Sequence, residues 1–324
     1  MRFVVLGAGA VGGTLAVRLA ASDHDVAVVA RGAHLAAIQT AGLELRDPGG
    51  ASLVHVDAVA EPAHVDWRED DVVVLVVKSH DTIDVLRQLA DVAPATLPVV
   101  CVQNGVTNEP EVLRHFARAY GVVVMCPTVH LRPGVVVAHS HPVPGILDVG
   151  RYPGGVDDLA VAVSAAFRSA GFDSHPITDL ARWKWAKLLT NLGNAIEAVR
   201  GPAARAGELG AMAAAEGEAV LAAAGIDFAS ADEDRRRRGD TLSLHPVDGE
   251  GRPGGSTWQS LQRGTATETD LLNGEIVRLA RLHGVPAPVN EVLQRLVRRL
   301  TATRSPPGAM TEDQVLVHVS RSSP

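Results

Sequence analysis

A glycine-rich turn near the start of the chain constrains the fold more than any other stretch. Residues 2–6 form a short apolar run of mostly β-forming side chains, and Gly7, Gly9 and Gly12 follow with the spacing G-x-G-x-x-G. Between a strand and a helix, the first glycine permits the tight bend, the second lets the backbone approach a pyrophosphate, and the third lets helix and strand pack closely. The pattern predicts a dinucleotide-binding loop.

The residues on either side of the glycines support this interpretation. Helix formers occupy 14–21 and a second apolar run occupies 25–30, which completes a βαβ unit of about 30 residues. The helix would present the free N–H groups of its first turn, including those of Ala10 and Val11, to the phosphates. A secretory signal peptide is the alternative, but Arg18 and the glycines interrupt what should be a continuous apolar segment.

The residue after the second predicted strand bears on which dinucleotide is bound. An NAD site usually has Asp or Glu there, about 20 residues beyond the glycines, to bind the ribose 2′-hydroxyl. This chain has Ala30-Arg31-Gly32 instead. No carboxylate is present to repel a 2′-phosphate, and the planar guanidinium of Arg31 suits one. We therefore expect NADP(H) as the cofactor.

Apolar runs alternate with helical patterns over the first half of the 324 residues, which is typical of a doubly wound parallel sheet. The patterns predict strands at 72–77, 99–102 and 122–125, helices at 33–41, 82–92 and 159–170, and a hairpin over 42–56. From residue 179 the chain is helical in character. We predict an α/β fold with an NADP-binding Rossmann-type domain over 1–178 and an all-helical substrate and catalytic domain over 179–324, in which the tail from about 304 is unassigned.

Two polar residues directly follow predicted buried strands. Lys78 comes after the valine-rich run 72–77, and Asn104 comes after the run 99–102. Ligands of open α/β sheets bind at the carboxyl ends of the strands. Each residue alone could be an ordinary polar strand terminus, but with the glycine loop they are candidates to line one crevice.

The stretch 183–199 is predicted to be one helix with an unusual polar stripe. At about 100° per residue, Lys184, Lys187, Asn191 and Asn194 fall within roughly 80° of one another. Buried lysines are costly without partners, and asparagine is a poor choice for an ordinary solvated helix face. We interpret the stripe as the wall of a polar cleft in which Lys184 is a cationic neighbour of Lys187; a solvated amphipathic face is the alternative.

Two further polar residues have simple structural explanations. Ser256 with Gln259, and Thr265 with Glu268, each fit a capping box at the start of a helix. In one straight helix Ser256 and Glu268 would stand roughly 18 Å apart along the axis. They could meet one small substrate only if the helix breaks between them, and Gly264 is the natural place.

Composition limits the remaining classes of function. The net charge of −7 argues against a general nucleic-acid binder, and every long apolar run is interrupted by charge or glycine, so no membrane span is expected. Cys101 and Cys126 are predicted to be buried free thiols of a cytoplasmic protein. His139 and His141 share one face of a strand, but no third ligand has suitable spacing, so no metal site is predicted. The basic run 235–238 follows three acidic residues and is interpreted as a solvated helix face with internal charge pairing.

Taken as a set, these residues resemble the ketopantoate reductase (2-dehydropantoate 2-reductase) family. The resemblance covers most of the chain apart from its C-terminal tail. It rests on the glycine motif, Arg31, Lys78, Asn104-Gly105, the segment Trp185-Ala186-Lys187-Leu188-Leu189-Thr190-Asn191, Ser256 and Glu268.

The resemblance implies NADPH-dependent reduction of the ketone of 2-dehydropantoate to pantoate. It would make Lys187 the catalytic lysine, with Glu268 supporting both the substrate and the lysine. It would place Asn104 and Asn191 on the substrate, Ser256 on the substrate carboxylate, and Lys78 in the nucleotide crevice. The family often carries a second asparagine eight residues after the lysine, where this chain has Ala195; Asn194, one position earlier, is the remaining substrate-binding candidate.

The chemistry that follows needs few groups. A lysine ammonium within reach of the reacting carbonyl can stabilise the developing negative charge and deliver the proton, so we expect Lys187 to be the general acid. The expected partner is a small 2-oxo acid, and a homodimer through the helical half is left open. The change at Ala195 leaves room for a different 2-oxo acid, and a nucleotide-binding protein without turnover is a further alternative.

Overall fold

The computed structural model describes residues 1–205 and 207–321 and divides the chain into two compact units. The first unit contains Met1–Lys184 and Ser230–Arg252, and the second contains Trp185–Ala229 and the chain from Pro253 onward. The segment 230–252 thus belongs to the first unit, although it lies within the helical half of the sequence. Of the tail that the sequence left unassigned, residues 322–324 lie outside the described residues.

The strands all belong to the first unit and form two sheets. Their bounds are β1 (Arg2–Leu6), β2 (Asp25–Val29), β3 (Leu43–Asp47), β4 (Gly50–Val54), β5 (Asp57–Val59), β6 (Asp71–Leu75), β7 (Pro98–Cys101), β8 (Arg118–Met125), β9 (Thr128–Arg132), β10 (Val135–Ala138) and β11 (Ile146–Arg151). The larger sheet has seven strands in the order β11-β8-β7-β6-β1-β2-β5, and the smaller has four in the order β4-β3-β10-β9.

The helices occur in both units. Their bounds are α1 (Ala10–Ala20), α2 (Gly32–Ala41), α3 (Thr82–Ala90), α4 (Asn108–Val112), α5 (Asp158–Ser169), α6 (Leu180–Asn191), α7 (Gly193–Arg200), α8 (Glu208–Ala223), α9 (Ala231–Arg238), α10 (Ser256–Gln262), α11 (Asn273–His283), α12 (Pro288–Ala302) and α13 (Glu312–Ser320). The predicted fold class, a Rossmann-type α/β half followed by a helical half, is confirmed.

The seven-stranded sheet is buried on both faces, and its central strands β1 and β6 are apolar apart from Arg2 and Asp71, which pair with each other. In β1, Phe3 and Val5 contribute to the core that contains α1 and α5, whereas Val4 and Leu6 contribute to the core that contains α3. The pairs from β5 across to β8 are parallel, as predicted, and β11 is the one antiparallel strand. Parallel order brings the carboxyl ends of these strands to one edge of the sheet.

The four-stranded sheet was only partly predicted. Its hairpin of β3 and β4 is confirmed, while the parallel pairing of β10 with β3 joins strands that are far apart in sequence. This sheet covers α1. Gly13 is the residue that permits the approach, since a Cβ there would lie 2.7 Å from Cγ1 of Val136.

The basic run 235–238 has more than the solvated role that the sequence suggested. It ends α9, whose N-cap Ser230 forms a capping box with Glu233. Arg237 donates two 2.6 Å hydrogen bonds to Asp148 and one of 2.8 Å to Asp173, so it binds α9 to the sheet that contains β11. The predicted internal charge pairing is confirmed, since Arg235 pairs with Asp232 and Arg238 pairs with Asp234. The prediction of a solvated face is wrong for Arg237, because its carboxylate partners are distant in sequence.

Candidate active site

The glycine loop has the geometry that its predicted tasks require. Gly7 adopts φ +104°, and an added Cβ would lie 2.9 Å from the Val77 nitrogen. A Cβ on Gly12 would lie 2.0 Å from the Gly7 carbonyl oxygen, so helix and loop approach too closely for any side chain. Gly9, the N-cap of α1, differs: among the described residues nothing lies within 4 Å of a Cβ built there. The space above Gly9 and the N–H groups of Ala10 and Val11 fits a pyrophosphate.

His34, which the sequence analysis did not single out, forms a hydrogen bond with the main chain of this loop. Nε2 of His34 lies 2.7 Å from the Ala8 carbonyl oxygen, and the Gly134 N–H donates to Nδ1 of His34 at 2.9 Å. The two bonds together require the neutral ring with its proton on Nε2. Burial lowers the pKa of His34, which agrees with that state. Arg31 is the N-cap of the same helix, α2, and its side chain is exposed.

Lys78 and Asn104 lie beyond the carboxyl ends of the adjacent parallel strands β6 and β7, as predicted, and each is three residues past the end of its strand. The Asn104 carbonyl oxygen accepts hydrogen bonds from Asn108 Nδ2 at 3.1 Å and from Ser79 Oγ at 3.3 Å. The side-chain oxygen of Asn104 is buried and has no hydrogen-bond partner within the described part of the chain. A buried acceptor at this edge of the sheet suits a ligand that carries N–H or O–H groups.

Lys184 does not have the role that the helical stripe suggested. Its ammonium donates to Glu109 Oε1 at 2.5 Å and to the Gln103 carbonyl oxygen at 2.9 Å, inside the first unit. The Lys184 and Glu109 side chains are only 5% and 1% exposed. The prediction that Lys184 supplies a positive charge beside Lys187 was wrong, because a carboxylate distant in sequence neutralises it.

Lys187 and Asn191 lie one turn apart on the same face of α6, in the second unit. Lys187 is half-buried, and Asn191 is 3% exposed. Nδ2 of Asn191 is buried without a hydrogen-bond partner in residues 1–205 and 207–321. Such a group is costly unless a ligand or water completes it, which makes this face a candidate for substrate binding.

The predicted helix 183–199 is interrupted at one residue, Leu192, whose backbone keeps helical dihedral angles (φ −56°, ψ −33°). The helix α6 ends at Asn191, and α7 begins at Gly193. Nδ2 of Asn194 lies 3.4 Å from Ser256 Oγ, whereas Ala195 is 1% exposed in the core. Asn194 and Ser256 are therefore brought together, although the uninterrupted helix of the prediction gave no reason to pair them.

Neither predicted capping box is formed. The N-cap of α10 is Gly255, so Ser256 is already inside the helix. Thr265 Oγ1 instead donates to the Ser260 carbonyl, and Glu268, 7% exposed, precedes a single 3-10 turn at Thr269–Leu271. The predicted interruption between Ser256 and Glu268 is confirmed, since α10 ends at Gln262. Helix capping therefore explains neither Ser256 nor Glu268.

Other chemistries find no support in the described residues. Burial raises the pKa of Cys126 to about 12 and holds the pKa of the Cys101 thiol well above its ordinary value, so neither thiol is activated. Nδ1 of His139 lies 3.2 Å from the His245 carbonyl oxygen. Within residues 1–205 and 207–321, no three His, Cys, Asp or Glu side chains are grouped so that they could hold a metal ion. In the same ranges no helix has the length and apolar character that crossing a bilayer requires.

Comparison with known proteins identifies the family. The family model described as "Ketopantoate reductase PanE/ApbA" matches residues 3–154, and "Ketopantoate reductase PanE/ApbA C terminal" matches residues 179–301. The chain belongs to the ketopantoate reductase family. It is accordingly a nicotinamide-dependent oxidoreductase that acts on a CH–OH group of a small-molecule substrate.

Individual relatives agree with the family over nearly the whole chain. A 2-dehydropantoate 2-reductase of Archaeoglobus fulgidus is 31% identical over 308 residues, covering 92% of this chain and 97% of its own. The crystal structure of a PanE/ApbA family ketopantoate reductase from Ralstonia eutropha JMP134 is 29% identical, with a TM-score of 0.77 and coverage of 94% and 99%. D-mandelate dehydrogenase with NADH and anilino(oxo)acetate superposes with a TM-score of 0.78 at 20% identity and the same coverage, which shows a shared fold.

Proposed function

We propose that this protein reduces 2-dehydropantoate to pantoate with NADPH. The observation that carries the proposal is the polar face of the second unit: Lys187 and the unsatisfied amide of Asn191 share one side of α6, and Asn194 meets Ser256. An ammonium, two amides and a hydroxyl suit a small anion that carries a ketone. The name shared by several curated relatives supports 2-dehydropantoate as that anion.

The cofactor residues are proposed from the first unit. Gly7, Gly9 and Gly12, with the first-turn N–H groups of Ala10 and Val11, would hold the pyrophosphate. Arg31 would bind the 2′-phosphate and so favour NADP(H) over NAD(H). Lys78 and Asn104 would line the crevice at the strand ends. We accordingly assign cofactor binding to a domain over 1–178 and substrate binding and catalysis to a domain over 179–324.

The proposed chemistry assigns one proton-transfer step to this chain. When bound, the reduced nicotinamide supplies the hydride for the 2-oxo carbon. Nζ of Lys187 donates a hydrogen bond to the ketone oxygen, stabilises the charge that develops there and gives its proton to that oxygen. Asn191 and Asn194 orient the substrate, Ser256 binds its carboxylate, and Glu268 supports the substrate and the lysine.

The first test follows the loss of nicotinamide absorbance with purified protein, 2-dehydropantoate and either NADPH or NADH. We expect rapid oxidation of NADPH alone. Lys187→Ala should lower kcat by a factor of about 10² or more, the range for a general acid, while NADPH binding measured by fluorescence is retained. A kcat only a few-fold lower at saturating substrate would refute the role of Lys187. Faster oxidation of NADH would refute the role of Arg31.

A second candidate is the reduction of another 2-oxo acid by the same residues. The observation that favours it is the one-residue shift that puts Asn194, rather than residue 195, beside Ser256. A comparison of kcat/KM over a panel of 2-oxo acids distinguishes the two, since the true substrate has the highest value. NADPH binding without oxidation by any of them would indicate a nucleotide-binding protein without turnover.

A further inference from the structure

The break between α6 and α7 is held by side chains from elsewhere in the second unit. Nη2 of Arg205 donates to the Thr190 carbonyl oxygen at 2.6 Å, and Nδ2 of Asn273 donates to the Leu192 carbonyl oxygen at 3.3 Å. Arg205 lies against Gly193, where an added Cβ would be 2.9 Å from Cγ of the arginine. Thr190 lies in the last turn of α6, where main-chain carbonyls lack helical partners and need such donors, whereas the Leu192 carbonyl also accepts the Ala195 N–H at 3.4 Å. Arg205 therefore stabilises the end of α6, which directly precedes Asn194.

A buried carboxylate links the same break to the serine of the substrate face. Oε2 of Glu197 accepts the Gly255 N–H at 2.8 Å, directly before Ser256. A Cβ on Gly255 would lie 2.3 Å from Oε2 of Glu197 and 3.3 Å from Oδ1 of Asn194. The backbone of Gly255 therefore packs between the two side chains, and Glu197 determines where the first turn of α10 presents Ser256.

Glu197 and Arg205 also interact electrostatically. Nη1 of Arg205 lies 3.5 Å from Oε1 of Glu197, and the two side chains are 34% and 7% exposed. A buried carboxylate next to the residue that is proposed to bind a substrate carboxylate would repel that substrate. The guanidinium compensates the charge and at the same time bonds to the end of α6.

We propose that Glu197 and Arg205 are positioning residues that set the affinity for an anionic 2-oxo acid without touching it. Glu197 fixes Ser256 through Gly255, and Arg205 fixes the break before Asn194 while neutralising Glu197. The proposal rests on the proposed function, because it needs Ser256 to bind the substrate carboxylate. It deepens that function by assigning the electrostatic balance of the carboxylate subsite.

The test compares Arg205→Met with the double variant Glu197→Gln/Arg205→Met in the full chain. Arg205→Met leaves the Glu197 charge uncompensated, so we expect KM for the 2-oxo acid to rise about tenfold, with kcat changed less than about threefold. Glutamine can still accept the Gly255 N–H but carries no charge, so the double variant should recover most of the lost affinity. The dissociation constant for NADPH, read by nicotinamide fluorescence, should stay unchanged in both.

The matched control is Arg281→Met with and without Glu291→Gln, which removes an exposed ion pair of the same residue types in the second unit. Its KM values should equal those of the unmodified protein. If the double variant at 197 and 205 has a KM as high as that of Arg205→Met, the effect is structural and the charge argument is wrong. An unchanged KM in Arg205→Met refutes the proposal outright.

Arg205→Lys keeps the proposal testable if Arg205→Met does not fold. It keeps the positive charge but cannot form the planar fork toward both Thr190 and Glu197, so its KM should fall between those of the unmodified protein and Arg205→Met. The substrate used is the 2-oxo acid with the highest kcat/KM of the panel. If that acid is not 2-dehydropantoate, the proposed substrate is wrong, but the KM values of the variants at Glu197 and Arg205 still test the positioning role.

Discussion

The buried pair of Lys184 and Glu109 offers the sharpest test of how the first unit is held together. The Lys184 ammonium bonds to both Glu109 and the Gln103 carbonyl, at 2.5 and 2.9 Å. Lys184→Met keeps most of the volume of the side chain and removes its charge. The Glu109 carboxylate, whose side chain is 1% exposed, is then buried without its cation.

The expected magnitude follows from that burial. Removing one partner of a buried ion pair typically costs about 3–5 kcal/mol, because the remaining charge keeps its desolvation penalty. For a unit of this size about 2–4 °C corresponds to each kcal/mol, so Tm should fall by roughly 6–20 °C. The double variant Lys184→Met/Glu109→Gln has no uncompensated charge at this site. Its free energy of unfolding should therefore be about 1–3 kcal/mol higher than the value obtained by adding the losses of the two single variants.

The assay is chemical and thermal unfolding of the four proteins of this cycle, followed by circular dichroism. Arg87→Met is the control, since its partner Asp84 is 77% exposed and the Arg87 side chain 68%; an exposed pair is worth about 0–1 kcal/mol. Additive losses in the two single variants, or a loss for Lys184→Met no larger than for the control, would refute the reasoning. The Gln103 carbonyl precedes Asn104, so the dissociation constant for NADPH should also rise in Lys184→Met.

Three further predictions concern the first unit. Gly12→Ala should lower the affinity for NADPH by about 10² or more, because its Cβ would lie 2.0 Å from the Gly7 carbonyl oxygen and displace the loop from the pyrophosphate. Fluorescence titration measures this affinity, and Gly251→Ala is the control, because a Cβ at Gly251 has no atom within 4 Å and its φ is not positive. Arg31→Ala should raise KM for NADPH about tenfold or more and leave KM for NADH unchanged; equal effects on both would show that Arg31 does not contact the 2′-phosphate. Hydrogen bonds from Arg182 lower the pKa of Glu233 to about 2 from an ordinary value of 4.5. Stability from a lowered pKa is present above the unfolded pKa and is lost as pH falls through the folded one. The difference in Tm between Glu233→Gln and the unmodified protein should therefore be constant at neutral pH and shrink as pH falls from about 4.5 toward 2; a difference that grows on acidification would contradict the assignment.

Features with a local cause were accessible from the sequence. Gly7 and Gly12 are required by backbone geometry within a few residues of themselves, and the apolar run of β1 faces a core on both sides. Because parallel strands end at one edge of the sheet, the sequence alone predicts that Lys78 and Asn104 lie at the same edge. The interruption between Ser256 and Glu268 followed from a single glycine.

The errors share one cause, which is a partner distant in sequence. Helical periodicity put Lys184 on the same stripe as Lys187, but the ammonium is taken by Glu109, 75 residues earlier. The capping box at Ser256 is not formed because the N-cap of α10 is Gly255, one residue earlier than predicted, and the Gly255 N–H donates to Glu197, which is 58 residues away.

The sequence by itself determined the fold class, the dinucleotide loop and the types of side chain available for the reaction, since those depend on short-range periodicity and backbone conformation. The tertiary structure decided which charged side chains are paired with an opposite charge and which polar side chains contact one another. Arg205 and Asn273 donate to the main-chain carbonyls of Thr190 and Leu192 at the junction of α6 and α7, and Asn194, which follows that junction, lies beside Ser256. Burial makes each of these long-range partnerships necessary, because a polar group removed from water must find its partner wherever the fold provides one.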